Sequence, residues 1–228
     1  MLWASLVYGL RYAARNLALI LVFPTAGFAE PVTIAALGDS LTQGYGLKQE
    51  QGFVPQLENW LRQNGADVVV LNAGVSGDTT AGGLARIGWT LTDDVDAVIV
   101  ALGGNDLLRG LDPALSKSNL DEILAQVTAR DLPAMLVGLK APGNYGTDYQ
   151  KSFDAIYPEL AEKYDAVLQE DFLAGLRVLD DPDATRQNYM QADAIHPNAE
   201  GVSLIVEALG PAVLQLVTRA KEKSASMN

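Results

Sequence analysis

Cysteine is absent from the 228 residues and histidine occurs once. Disulfides, thiolate metal sites, a cysteine nucleophile and an acylated lipoprotein cysteine are therefore closed to this chain. A histidine-cluster metal centre is excluded with them. Positive charge is scarce: Lys and Arg total 16 against 28 Asp and Glu, a formal charge of −12. Such a surface repels a phosphate backbone, so nucleic acid is not an expected partner. Nucleotide fingerprints are missing too. The glycines from Gly38 to Gly46 lack Gly-x-Gly-x-x-Gly spacing and no P-loop lysine follows them, so no cofactor and no metal is expected.

What is present is apolar. Hydrophobic residues make up 49% and charged residues 19%, the balance of a folded globular chain long enough for one sizeable domain. Residues 1–29 stand apart. Arg11 and Arg15 are the only charges before Glu30, and they precede the apolar run Leu17–Phe23, Pro24 and a small-residue stretch ending at Ala29. That order predicts a Sec-type secretory signal cleaved before Glu30, with residues 30–228 as a single domain in the periplasm or outside the cell. The competing reading is an uncleaved N-terminal membrane anchor. After cleavage no stable membrane span is expected; the sequence does not fix an oligomeric state.

Beyond Glu30, continuous apolar runs alternate with helical patterns. Val32–Leu37, Val68–Leu71, Ala97–Leu102 and Ala134–Leu139 read as strands buried on both faces, with Asp165–Leu168 as a short fifth. Phe53, Leu57, Trp60 and Leu61 have helical spacing, and Asn64-Gly65 ends that helix. Asp78 is placed to cap a helix running toward Leu91, and Ser118 and Thr147 to open capping boxes. The last helix starts at Asn198, carries Val202, Ile205, Val206 and Leu209 on one face, and is expected to kink or split at Gly210-Pro211. Asp180–Asp193 reads as a long loop, and the tail from Lys221 as frayed. Alternation of this kind predicts an α/β fold with a mostly parallel sheet covered by helices on both faces.

Ligands of open parallel sheets bind at the carboxyl ends of the strands. Here three strands end in Gly38-Asp39-Ser40-Leu41, Asn72-Ala73-Gly74 and Gly103-Gly104-Asn105-Asp106. Each alone is an ordinary turn; together they put a hydroxyl, glycine amides and a side-chain amide along one rim. The fourth piece is Asp193-Ala194-Ile195-His196-Pro197. Pro197 suits a first helical turn. Asp193, three residues before His196, can bond one imidazole nitrogen and leave the other to take a proton from a serine.

These four pieces, in this order, resemble the SGNH (GDSL-type) hydrolase family. The longer stretches Leu37–Gly46 and Asn72–Thr79, and Gly103–Gly110, are similar to its bacterial thioesterase I, lysophospholipase L1 and arylesterase branch. The resemblance implies a three-layer α/β/α, flavodoxin-like fold. It implies Ser40 as nucleophile, His196 as base and Asp193 as its orienting carboxylate. The N–H of Ser40, the N–H of Gly74 and the amide of Asn105 would form the oxyanion hole. It also implies a serine esterase acting on small-molecule carboxylic esters or thioesters: aryl esters, short to medium acyl esters, acyl-CoA or lysophospholipid. A carbohydrate O-acetylesterase and a non-catalytic binding domain are the alternatives.

Other residues are weighed against this set. Ser76, in Gly74-Val75-Ser76-Gly77, lacks Gly-x-Ser-x-Gly spacing and reads as a turn or helix-entry residue. Asp39 is expected to hold the nucleophile turn. Asp180-Asp181-Pro182-Asp183 lacks the glycine and distal glutamate of a calcium loop and reads as a solvated acidic loop. Trp60 and Trp89 read as core. Leu107, Leu108, Tyr145 and the loop Ala141–Thr147 are assigned either to an acyl pocket or to packing.

Overall fold

The computed structural model describes residues 30–227; the expected signal segment, residues 1–29, lies outside them. Strands β1 (Val32–Gly38), β2 (Val68–Gly74), β3 (Ala97–Ala101), β4 (Ala134–Val137) and β5 (Val167–Gln169) alternate with helices. The helices are α1 (Ser40–Gln43), α2 (Phe53–Gln63), α3 (Thr80–Thr90), α4 (Gly104–Leu108), α5 (Pro113–Ala129), α6 (Thr147–Lys163), α7 (Ala174–Arg177), α8 (Pro182–Tyr189) and α9 (Ala199–Met227). The strands form one parallel sheet in the order β2-β1-β3-β4-β5.

Strand side chains alternate between the two faces, and both faces are covered. Ile34, Ala36, Val68, Ile99 and Met135 pack under α2 and α9, against Phe53, Leu57, Leu61, Ile205, Leu209 and Val213. Ala35, Leu37, Val98, Val100 and Leu136 pack under α3, α5 and α6, against Ile87, Leu120, Ile123, Val127, Phe153 and Leu160. This is the three-layer α/β/α arrangement, and it explains why the strands read as unbroken apolar runs. From β1 the chain winds first to β2 on one side and later to β3 on the other. The crevice at the carboxyl ends of β1 and β3 is thus the topological switch point.

Strand β2 lies at the sheet edge, and α2 braces it. Arg62 Nε and Nη2 donate to the Val68 carbonyl at 3.1 and 2.9 Å, and the Val70 N–H donates to Glu58 Oε2 at 2.8 Å. Glu58 and Arg62 are themselves paired at 3.0 Å.

Several local expectations are corrected. Thr79, not Asp78, caps α3 through its hydroxyl; Asp78 instead pairs with Arg86 at 2.6 Å. Helix α5 starts at Pro113 under an Asp112 cap, with Ser118 inside it. Gly146 precedes α6 and Thr147 caps nothing. The acidic stretch Asp180–Asp193 contains α8, because Asp181 caps the amides of Asp183 and Ala184 and Pro182 fits the first turn. Helix α9 runs unbroken through Pro211 to Met227. Val213, Leu216, Val217 and Ala220 continue its buried seam past the proline, and that packing outweighs the one lost bond. Trp60 packs on α9 and donates to Glu207 at 2.8 Å, whereas Trp89 is 87% exposed and is not core.

Candidate active site

The turn from β1 into α1 presents Ser40. Asp39 is the N-cap, and its Oδ1 accepts the Leu41 N–H at 3.0 Å. Ser40 is the first helical residue. Its N–H has no intrahelical acceptor, and none among the described residues takes it.

His196 comes from the loop before α9, 156 positions away, and its Nε2 lies 2.9 Å from Ser40 Oγ. Its Nδ1 lies 2.7 Å from Asp193 Oδ2. Asp193 Oδ1 accepts the Ile195 and His196 N–H groups, each at 3.0 Å, so the loop folds round the carboxylate, with Ala194 in the left-handed region at φ 55°. The imidazole bond, and then these two amides, hold the Asp193 carboxyl down at about 2. An ionised carboxylate only accepts. His196 Nδ1 therefore donates to it, and Nε2 carries the lone pair facing the Ser40 hydroxyl.

The third strand contributes Asn105. Gly103, at φ 118°, is tolerated there because it lacks a side chain, and it starts α4 immediately after β3. Asn105 Nδ2 donates to Asp39 Oδ2 at 3.3 Å. Asp106 anchors the same helix from below: it accepts from Thr80 N at 2.8 Å, Thr80 Oγ1 at 2.6 Å and Ser116 Oγ at 3.1 Å. Asp39 is only 3% exposed. Burial pushes its carboxyl up to about 6, against the opposing pull of the Leu41 amide and then the Asn105 amide.

Gly74 does not fit its assigned part. In β2 its N–H falls on the outward side with those of Val68 and Val70, and it donates to Asn72 Oδ1 at 3.0 Å. The next inward amide, Val75, donates to the Gly38 carbonyl at 3.0 Å. The Val75–Asp78 turn that follows has Gly77 at φ 84°. No described residue accepts the Gly77 N–H, and its carbonyl accepts from Arg109, at the end of α4, at 2.9 Å.

Sequence reasoning missed several residues that build the rim. Arg86, on α3, donates to the carbonyls of Gly38 at 2.8 Å and Ala73 at 2.6 Å and to Asp78, stitching the ends of β1 and β2 together. Tyr45 lays its ring against the His196 imidazole, centroids 4.7 Å apart. Only Tyr45 carried a signal, an aromatic between two glycines just after the nucleophile turn.

Ser40, Asn105 and His196 open into a cavity of about 490 Å³ whose walls include Leu107, Leu108, Leu139, Tyr145 and Ile195, with Lys140 and Arg177 at its margin. Both cations already have carboxylate partners, Glu170 and Asp171. A groove of about 530 Å³ beside β2 and α2 contains no nucleophile–base pair. Ser76 is exposed in the turn after β2, while the chain's one imidazole faces Ser40. Asp181 and Asp183 are engaged in capping α8 and in pairing with Arg186.

A hydroxyl, an imidazole and a carboxylate linked in series at a parallel-sheet switch point define the serine hydrolase class. Residues 36–204 match the family described as GDSL-like Lipase/Acylhydrolase, and the chain belongs to it. Esterase TesA of Pseudomonas aeruginosa is 36% identical over 186 residues, which cover 81% of this chain and 89% of that protein. The Thioesterase 1/protease 1/lysophospholipase L1 of Escherichia coli K12 is 36% identical over 200 residues, 87% of this chain and 91% of that one. Among solved structures, AlinE4, an SGNH-hydrolase family esterase, is 47% identical with a TM-score of 0.66, covering 82% of this chain and 97% of that chain.

Proposed function

We propose that this SGNH hydrolase cleaves small carboxylic esters and thioesters through an acyl-enzyme on Ser40. The supporting observation is the unbroken chain Ser40 Oγ–His196–Asp193, at 2.9 and 2.7 Å. A serine hydroxyl is a weak nucleophile until a base removes its proton during attack. His196 Nε2 takes that proton as Ser40 Oγ bonds to the carbonyl carbon, and the Asp193 carboxylate offsets the charge on the ring. As the tetrahedral oxyanion collapses, His196 protonates the leaving alcohol or thiol, which departs and leaves Ser40 acylated. Water then gives a proton to His196 and attacks the ester. Collapse returns the proton to Ser40 and releases the carboxylic acid.

The Ser40 N–H and the Asn105 amide serve as oxyanion donors, and each is worth on the order of 10² to 10³ in turnover. The third falls to the Gly77 N–H rather than Gly74, whose hydrogen is already given to Asn72. Leu107, Leu108 and Tyr145, on the cavity wall, receive the acyl or aryl group. The cavity volume suits a small to medium ligand. Residues 1–29 act as an export signal, and the mature enzyme works in the periplasm or outside the cell.

Hydrolysis of p-nitrophenyl acetate and butyrate tests the reading. Ser40→Ala abolishes turnover while Ser76→Ala leaves it intact; the reverse pattern overturns the assignment.

A further inference from the structure

The nucleophile and its base come from opposite ends of the described chain, and the loop carrying the base is mostly solvent-facing. Asp193, Ala194 and Ile195 are exposed, and Ala194 adopts a conformation that L-residues disfavour. A short bridge between Met190 and Pro197 closes the loop at its base. That closure fixes the loop's shape but does not aim it at Ser40.

We infer that Gln191 is the positioning residue that does so, by clamping the His196 loop to the nucleophile loop; the inference rests on the Ser40–His196 reading above. The Gln191 Nε2 amide donates to the Tyr45 carbonyl at 2.8 Å and to the Pro197 carbonyl at 2.9 Å. Its backbone N–H donates to the His196 carbonyl at 2.7 Å. One NH₂ group has two hydrogens, and here each goes to a different side of the active-site seam. The fit is tight. A Cβ placed on Gly46 would come within 2.2 Å of Gln191 Oε1, so the nucleophile loop presents bare backbone to this side chain. The residue drawn in by the clamp, Tyr45, is also the one whose ring lies on His196, centroids 4.7 Å apart and planes 40° from parallel. The amide therefore sets the loop-to-loop distance, and the Tyr45 ring sets the tilt of the imidazole within it.

Removing the clamp lets His196 drift from Ser40, and Gln191 itself is not among the residues lining the acyl cavity. A misplacement of about 1 Å in a reacting pair costs about 10²-fold. Gln191→Ala and the isosteric Gln191→Glu, which presents a carboxylate to two carbonyls, are each expected to lower kcat on p-nitrophenyl butyrate by about 10- to 100-fold, with KM within about twofold. Labelling of Ser40 by a phosphonate ester, which needs the same proton transfer, slows by the same factor. A merely structural residue would instead lower the fraction of active enzyme and leave the per-site kcat, counted by phosphonate titration, unchanged.

Two controls separate the outcomes. If Ser40→Ala or His196→Ala keeps turnover, the reading of the site fails and the clamp with it. If both are inactive while Gln191→Ala retains kcat and labelling rate, the clamp alone is refuted. Should Gln191→Ala not fold, Gln191→Met, which keeps the length of the side chain but has no hydrogen to give the Tyr45 and Pro197 carbonyls, decides instead: a fall in kcat at constant KM supports the clamp, and wild-type kcat overturns it.

Discussion

Replacing Asp39 by asparagine should make the protein more stable and less active, and both effects follow from one buried carboxyl. The folded protein holds Asp39 at about 6 against 3.8 for a free side chain, chiefly through burial. Because the folded value is the higher, the native state binds the proton more tightly than the unfolded chain does. The resulting stabilisation is complete below about pH 4 and disappears as the pH rises through about 6. Above that, the ionised buried carboxylate costs the fold about 3 kcal/mol, at about 1.4 kcal/mol for each unit of displacement. The neutral amide of the variant never ionises and escapes this cost.

The isosteric amide keeps one oxygen for the Leu41 N–H but turns an NH₂ toward the NH₂ of Asn105, where the wild type has a donor–acceptor pair at 3.3 Å. One neutral hydrogen bond, worth about 1 kcal/mol, is lost, and the Asn105 donor is no longer aimed. Urea unfolding should therefore show Asp39→Asn about 2 kcal/mol more stable than wild type at pH 8, with the advantage vanishing near pH 4. Turnover of p-nitrophenyl butyrate at pH 8 should fall about 10²-fold. A stability difference constant from about pH 4 to pH 8 would refute the buried-carboxyl argument. Wild-type turnover in Asp39→Asn would refute the role of Asp39 in aiming Asn105.

Three further outcomes are expected. Asn105→Ala lowers kcat by about 10² to 10³ with little change in KM; an effect confined to KM would make Asn105 a binding group instead. Arg86→Lys loses the planar fork that reaches Gly38, Ala73 and Asp78 and destabilises the fold by about 2–3 kcal/mol in urea unfolding; an unchanged midpoint would show that those carbonyls are satisfied without it. Asp193, held at about 2, stays ionised across the working range and keeps the His196 ring in one orientation; Asp193→Asn lowers kcat by about 10⁴-fold with KM little changed. An unchanged kcat in that variant would count against the orienting role.

The fold was legible where burial alone decides structure. Val32–Leu37 and Ala97–Ala101 are covered on both faces, so their composition needed no alternation to declare a strand. Ser40, Asn105, Asp193 and His196 were legible because four pieces, each an ordinary turn when taken alone, fall in one order at strand ends that share a rim and together resemble the SGNH blocks. Gly74 misled because a glycine next to a strand end looks like any other donor; only the register of β2 reveals that its N–H points outward. Pro211 misled because a sequence window counts one missing bond but not the buried seam from Val213 to Ala220. Arg86 and Gln191 gave no local signal, since the contacts that tie them to the nucleophile side, to Gly38 and Ala73 for Arg86 and to Tyr45 for Gln191, join residues far apart in sequence.

The bracing of β2 by Glu58 and Arg62 also bears on how the protein behaves in a crowd. A bare strand at a sheet margin is a template onto which a neighbouring molecule can dock its own backbone, the first step toward fibrils. Here the Val68 carbonyl and the Val70 N–H are already claimed by the chain's own side chains, and those side chains are charged. A newcomer would have to evict an ion pair before pairing along Val68 and Val70, so that stretch of the strand next to the nucleophile is guarded against edgewise polymerisation in concentrated protein.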